Sequence, residues 1–128
     1  MAENSIITKF RREQLAKITS GQIASIDKIA YIALGDGGAT PEGTPIAPNE
    51  EQTALVNELK RYEVGAPEFP VSTTARYTIT VPEADLAGQK TSELGLLDAQ
   101  GKLCAVRNCS PKGKDADETF TFVFDDEF

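Results

Sequence analysis

Two segments in the C-terminal half of the chain alternate apolar and polar residues with a period of two. The first covers residues 75–81, and the second has a phenylalanine at every other position of residues 120–124. Because successive side chains of a strand point to opposite faces, this period predicts two strands that each bury one face. We predict that they share one core, formed by these side chains: Tyr77, Ile79, Leu96, Phe120, Phe122 and Phe124.

A central strand is predicted from the apolar run of residues 29–34. The run has no helical period, and it stops at a strong turn signal, Gly35-Asp36-Gly37-Gly38. A continuous apolar strand is usually covered on both faces. Because the chain must leave the sheet sharply after this strand, we expect a positive φ at Gly35 or Gly37.

A β-hairpin is predicted between two further apolar runs, residues 94–97 and residues 103–106. They flank a tetrapeptide that ends in Gly101, which suits the tight position of the turn. The second run contains Cys104, and Cys109 follows five residues later. This spacing matches no zinc site. A disulfide between the two is within reach, and two free thiols are the alternative that we expect, because the cytosol keeps thiols reduced.

Helical patterns are confined to the N-terminal half. Residues 5–19 predict an amphipathic helix that Asn4 or Ser5 would cap and that ends before Gly21.

A second helix is predicted to begin at Asn49. Gln52 lies three residues later, as in a capping box, and an apolar stripe follows at Leu55, Val56, Leu59 and Tyr62. The order helix, strand, helix and then four strands predicts an α+β fold, with two helices packed on a mainly antiparallel β-sheet. At 128 residues we expect one domain that spans residues 1–128.

Charge and composition argue against several classes of protein. With 20 acidic and 13 basic residues, the formal net charge is −7, and we expect no nucleic-acid or membrane partner. The chain has no His, which excludes His-based catalysis, and its glycine-rich turn lacks the Lys of a phosphate-binding loop. We therefore expect no enzyme and no cofactor. The N-terminus does not resemble a signal peptide, which indicates synthesis in the cytoplasm.

The two ends of the chain carry opposite charge. Residues 1–20 have four basic and two acidic side chains, whereas residues 114–128 have one basic and six acidic ones. This difference favours assembly between copies or with a partner. Carboxylates are also the ligands that calcium prefers, although no calcium-loop spacing is present. A small, non-catalytic sugar- or calcium-binding module, which would use this acidic edge and Asp36 of the glycine-rich turn, is therefore an alternative function.

Three segments together resemble a known family. Residues 32–38 contain a strand ending in Gly-Asp-Gly, residues 52–61 contain Thr-Ala-Leu-Val-Asn-Glu, and residues 93–106 contain Glu-Leu-Gly-Leu-Leu-Asp-Ala-Gln-Gly. In this order they resemble the N-terminal domain of bacteriophage tail-collar fibre proteins. The resemblance implies a structural component of a phage or prophage tail, similar to the base that joins a tail fibre to the baseplate.

The same resemblance has consequences for partners and location. It implies contacts with other tail or baseplate proteins, a homo-oligomer that is a trimer if the chain is fibre-like, and a place in the virion tail after synthesis in the host cytoplasm. A fibre base must present a surface to its partner. The candidates are the Pro-rich loop of residues 36–49 and the polar side of the second helix. The partner-binding residues predicted on them are Asp36, Thr40, Pro41, Glu58 and Arg61.

Overall fold

The computed structural model describes residues 4–128, which form eight strands and one helix. In chain order these are β1 (Ser5–Ile7), α1 (Lys9–Thr19), β2 (Ile29–Gly35), β3 (Glu58–Glu63), β4 (Glu68–Val71), β5 (Thr74–Val81), β6 (Lys90–Asp98), β7 (Leu103–Gly113) and β8 (Phe120–Glu127). The large sheet has the strand order β1-β7-β6-β2-β3, and the small sheet has the order β4-β5-β8. Every strand pair is antiparallel within this part of the chain.

The two sheets pack face to face over the main core. Buried residues of β2 and β6, such as Ile32 and Leu96, cluster with Ile79 of β5 and Phe124 of β8. Alternation along β2 turns Ala33 to the opposite face of the large sheet, where a smaller cluster forms. The second cluster contains Ala33, Leu55, Leu97, Leu103 and Val106. The large sheet is therefore covered on both faces.

The predicted α+β fold with two helices is wrong, because the second helix does not form. Asn49 and Gln52 do make the bond typical of a capping box: the Asn49 N–H donates to Gln52 Oε1 at 3.0 Å. The bond closes a turn, and the chain then enters β3. Residues of β3 satisfy the backbone groups of β2 along what would otherwise be an open edge, and this pairing overrides local helix propensity.

The first helix begins later than predicted. Residues 5–7 form β1, which pairs with β7 in the register Ile6↔Val106, so α1 starts at Lys9. Its N-cap is Thr8, whose Oγ1 accepts a hydrogen bond from the Arg11 N–H at 3.4 Å and donates one to the Leu103 carbonyl at 2.7 Å. The predicted end is confirmed, since Gly21 has a φ of +79° just after the helix.

The strands predicted from alternation are confirmed. β5 and β8 pair in the register Ile79↔Phe122, and the central strand β2 lies between β6 and β3. In the predicted core, Tyr77 and Phe120 are half-buried at its margin and the other four side chains are buried. The hairpin between β6 and β7 is also confirmed, and its Gly101 has a φ of +80°.

The oppositely charged ends of the chain meet within the molecule. Two guanidinium nitrogens of Arg11 lie 2.7 Å from the two carboxylate oxygens of Asp126, whose side chain is 1% exposed. The Arg11 guanidinium also stacks 5.1 Å from the centre of the Phe128 ring. This ion pair joins α1 to β8. Part of the opposite charge at the two ends of the chain is therefore neutralised within the molecule. Cys104 and Cys109 are free, and burial raises the pKa of Cys104 to about 11.

Candidate functional site

The three sequence segments that carry the family resemblance meet around one buried carboxylate. Glu93 lies on β6, its side chain is 0% exposed, and its oxygens accept three backbone hydrogen bonds. Gly37 donates to Oε2 at 2.8 Å, Asn57 donates to Oε2 at 2.9 Å, and Val56 donates to Oε1 at 2.8 Å. Glu93 thus ties both ends of the segment between β2 and β3, residues 36–57, to the outer face of the large sheet. We call residues 36–57 the β2–β3 segment.

The glycines after β2 are required by close packing. A Cβ atom on Gly35 would lie 2.5 Å from the Asn57 carbonyl oxygen, and one on Gly37 would lie 2.5 Å from Val56 Cβ. A Cβ on Gly38 would overlap the Ser92 carbonyl oxygen. None of the three has a positive φ, so the expectation of a left-handed glycine at 35 or 37 is wrong. Glycine is needed here because neighbouring backbone and the Val56 side chain lie so close.

Further contacts hold the beginning, the middle and the end of the β2–β3 segment. The Gly38 N–H donates to Ser92 Oγ at 2.9 Å, and Asn108 Nδ2 donates to the Ile46 carbonyl at 2.7 Å. Leu55 is 7% exposed and packs into the smaller core cluster. The segment has no helix and no strand beyond an isolated bridge between Ala39 and Pro45, yet it is anchored at several points.

The predicted partner-binding residues fall into two groups. Asp36, Thr40 and Pro41 line one side of a cleft of about 510 Å³, whose other wall includes Lys90 and Pro111. These three lie on the loop where the sequence placed them, and the structure brings them together.

The second group lies on β3 and not on a helix. Glu58 and Arg61 form an exposed ion pair, in which Arg61 Nε lies 2.7 Å from Glu58 Oε2. The hydrogen bond to Glu58 raises the pKa of Arg61 above its usual value. Because Glu58 pairs with Gly35 in the sheet register, this group begins next to the glycine turn.

A polar cluster fixes the turn that borders the cleft. Asp85 accepts a hydrogen bond from the Tyr62 hydroxyl at 2.8 Å, and its carboxylate lies 2.9 Å from Lys60 Nζ. The hydrogen bond from Lys60, followed by that from Tyr62, lowers the pKa of Asp85 below its ordinary value. Residues 82–88 are thereby held against β3, and Gly88 at the end of this turn lines the cleft.

Sequence reasoning missed the residues that hold the site together. Glu93, Ser92 and Asn108 were not singled out as functional, although all three are buried polar side chains. One signal was available in the sequence. Glu93 directly precedes the apolar run of residues 94–97. Because burying an unpaired carboxylate is costly, a glutamate next to such a strand indicates either a buried hydrogen-bonded group or a functional site.

Two carboxylates that could bind an ion are already engaged within the chain. No group of three or more Cys, Asp or Glu side chains within residues 4–128 is placed to hold a metal ion. The carboxylate of Glu93 is occupied by backbone donors, and Asp125 is paired with Arg76 at 2.8 Å. Nowhere in residues 4–128 is there a helix with the length and apolar character needed to cross a membrane.

Comparisons with known proteins agree with the motif geometry. Searches of curated proteins and of solved structures gave no match. The family model for the N-terminal part of phage tail-collar fibre proteins matches residues 1–121, and these include all three motif segments around Glu93. The chain therefore belongs to the phage tail-collar fibre protein family.

Proposed function

We propose that this chain is the base of a tail fibre and attaches the fibre to the baseplate as a non-catalytic structural component. Family membership supports a structural role in the tail. The observation that carries the attachment proposal is the β2–β3 segment. It is an irregular connection of 22 residues, and three backbone hydrogen bonds to Glu93 anchor it. A long loop without regular structure is uncommon unless it has a function.

The proposed contact surface is formed by the cleft residues and the neighbouring edge of β3. Asp36, Thr40 and Pro41 offer a carboxylate, a hydroxyl and a rigid apolar ring on one wall of the cleft. Glu58 and Arg61 add a charged pair on an edge strand. Because the segment is already ordered by its anchors, little conformational entropy would be lost when a partner binds it.

The alternative, a calcium- or sugar-binding module, has less support in the geometry. It would use the acidic residues near the C-terminus and Asp36 of the glycine-rich turn. Two of the C-terminal carboxylates are engaged by arginines, Asp125 by Arg76 and Asp126 by Arg11, and Asp36 accepts a hydrogen bond from the Asn57 side chain. We also propose that the chain is made in the host cytoplasm and assembles as an oligomer, which is a trimer if the fibre is built in the usual threefold way.

The attachment proposal is tested by following the chain into purified tails. A strain that lacks the chain is complemented either with the wild type or with a variant in which residues 40–44 are replaced by two glycines. Ala39 and Pro45 already form a bridge, so a two-residue link suits the gap. The control variant, T78A/T80A, changes exposed side chains of the small sheet.

We expect the wild type and the control to be found in tail particles and the loop variant to remain in the unassembled fraction with its fold intact. Light scattering on a sizing column measures the oligomer directly. Absence of the wild-type chain from tails would contradict the proposed function, and normal incorporation of the loop variant would remove the loop from it.

A further inference from the structure

A cavity of about 450 Å³ lies between α1, the loop of residues 25–28 and the hairpin that joins β6 to β7. Among the residues that the structure describes, it has no lining residue in common with the cleft beside the β2–β3 segment. Its volume falls within the range of about 300–1,000 Å³ that is typical of small-molecule pockets. We call it the helix cavity.

The floor of the helix cavity contains a buried carboxylate with one free oxygen. Asp98 is 5% exposed, and its Oδ1 accepts hydrogen bonds from the backbone N–H groups of Gln100 and Lys102, both at 2.9 Å. Within residues 4–128, Oδ2 has no hydrogen-bond donor, and no cation lies within ion-pair distance of the carboxylate. Because Asp98 lines the cavity and Oδ2 is not fully enclosed, this oxygen is open to a ligand. A buried carboxylate is best satisfied by a charged N–H donor.

Charge of the opposite sign predominates at the mouth of the helix cavity. Lys28 and Lys102 both line it, both are exposed, and neither has an ion-pair partner in the part of the chain that the structure describes. The third cation of the lining, Arg11, is already paired with Asp126. Asp27 adds one exposed carboxylate. The unpaired charges are therefore a carboxylate at the floor and an excess of positive charge at the mouth.

Apolar side chains form another part of the lining. Phe10 of α1, Ile29 of β2 and Tyr77 of β5 come from three different elements, and Ile29 is 8% exposed while the other two are half-buried. A ligand with an apolar portion would displace water from these surfaces, which favours binding. The helix cavity thus combines an apolar wall with a small number of polar groups, as is typical of pockets for small molecules.

We propose that the helix cavity binds an apolar α-amino acid, with its ammonium group on Asp98 Oδ2, its carboxylate towards Lys28 and Lys102, and its side chain against the apolar wall. A zwitterion satisfies both signs of charge, whereas an amine alone would be repelled by the two lysines and a carboxylate alone by Asp98. Neither lysine lies within ion-pair distance of Asp98, so the opposite charges are held apart and leave room for a ligand between them. The inference goes beyond the proposed function, since it concerns a separate site.

A different reading is that Asp98 serves only the hairpin. Its Oδ1 closes the turn through the two backbone N–H groups, and Oδ2 would then be hydrated. The two readings differ in what an amino acid should do. If Asp98 has a role in the hairpin alone, amino acids do not bind at all. If the helix cavity is a binding site, binding requires both the ammonium and the carboxylate of the ligand.

The test titrates the purified full-length chain with L-leucine and follows the backbone amide NMR signals of residues 98–104. Two analogues are matched ligand controls, since leucinamide lacks the carboxylate and N-acetylleucine lacks the ammonium group. We expect one leucine to bind per chain, saturably, with a Kd below about 10 mM, and each analogue to bind at least about tenfold more weakly. Glucose, a neutral polyol of similar size, should not bind.

Variants of the chain locate the site. D98N removes the charge and retains a carbonyl oxygen for the two hairpin N–H groups, whereas D117N makes the same change at an exposed residue outside the cavity. We expect D98N to weaken leucine binding at least about tenfold and D117N to leave it unchanged, with both variants melting like the wild type. K28M/K102M should weaken the binding of leucine and not that of leucinamide, which has no carboxylate for the lysines to contact.

The outcomes separate this inference from the proposed function. Absence of saturable leucine binding to the wild type, equal binding of leucine and either analogue, or preferred binding of glucose would overturn the proposed ligand. The comparison of ligands uses only the wild-type chain, so it decides the question even if D98N does not fold. Incorporation into tails does not enter this test. If the wild-type chain is absent from tails, the proposed function fails and the ligand site still stands or falls on the titrations.

Discussion

The two faces of the large sheet are covered in different ways. The inner face packs against the small sheet through apolar side chains such as Leu96 and Phe124. The outer face is covered by the irregular β2–β3 segment, which is held by the buried carboxylate of Glu93 and by glycines without room for a Cβ. Substitutions that remove buried side-chain volume from the inner face should therefore lower the free energy of unfolding. On the outer face, removing one polar side chain or adding one methyl group should lower the free energy of unfolding although the inner core stays intact.

The largest effect should come from the inner face. Phe122 is 7% exposed in the core between the sheets, and F122A should lower the free energy of unfolding by about 3–5 kcal/mol because it removes buried area and leaves a cavity. Urea denaturation measures this change. The neighbouring exposed residue provides the control, since T121A should change stability by less than about 0.5 kcal/mol. A cost below about 1 kcal/mol for F122A would contradict the central role of this core.

The outer face should lose nearly as much from one carboxylate. E93A removes the acceptor for three backbone N–H groups, and we expect a loss of about 2–4 kcal/mol because hydrogen bonds to charged groups are strong and the donors are left partly buried. The control E42A removes an exposed glutamate of the same segment and should be neutral. Equal stabilities of E93A and E42A in denaturant titrations would show that the three bonds do not support the fold.

Steric crowding on the outer face gives a smaller effect with a close control. G37A places a methyl group 2.5 Å from Val56 Cβ, so the β2–β3 segment must shift, at a cost of about 1–3 kcal/mol. G65A adds the same methyl group where no atom lies within 4 Å, and it should be neutral or slightly stabilising. Thermal unfolding of the pair isolates packing from the general effect of replacing glycine by alanine. The opposite order of melting temperatures would contradict the close approach.

The smallest effect concerns pH and the turn beside the cleft. The pKa of Asp85 is lowered in the folded state by Lys60 and Tyr62, relative to its ordinary value of 3.8. Its contribution to stability is therefore complete above pH 3.8 and disappears as the pH falls through the lower, folded value. D85N should remove this part of the acid dependence, measured as the difference between wild-type and variant unfolding curves below pH 3.8. Parallel curves throughout this range would contradict the role of Asp85.

The same contrast explains which parts of the fold could be predicted from the sequence. Local patterns predicted the two alternating strands, at residues 75–81 and 120–124, and the hairpin whose turn contains Gly101. All three elements form as expected. The helix expected after Asn49 failed although its capping bond is present, because pairing with β2 determines the structure of residues 58–63. No local sequence pattern predicts a strand of three residues such as β1, because this strand forms only through its pairing with β7.

The candidate site was predictable only in part for the same reason. The loop that contains Asp36, Thr40 and Pro41 can be recognised in the sequence because it is rich in glycine, proline and threonine. Glu58 and Arg61 were predicted on a helix and lie on an edge strand. Glu93 lies far along the chain from both ends of the segment that it holds, and only the folded structure brings its carboxylate to those N–H groups.

The central claim, that Glu93 fixes the β2–β3 segment, is tested most directly by amide hydrogen exchange at Gly37, Val56 and Asn57. In the wild type these amides should be protected although the segment has no regular structure, because each donates to a buried carboxylate. In E93A, under conditions where the protein stays folded, they should exchange at least about tenfold faster, while the amides of β5 and β8 keep their protection. Rapid exchange of the three amides in the wild type, or unchanged protection in E93A, would contradict the account.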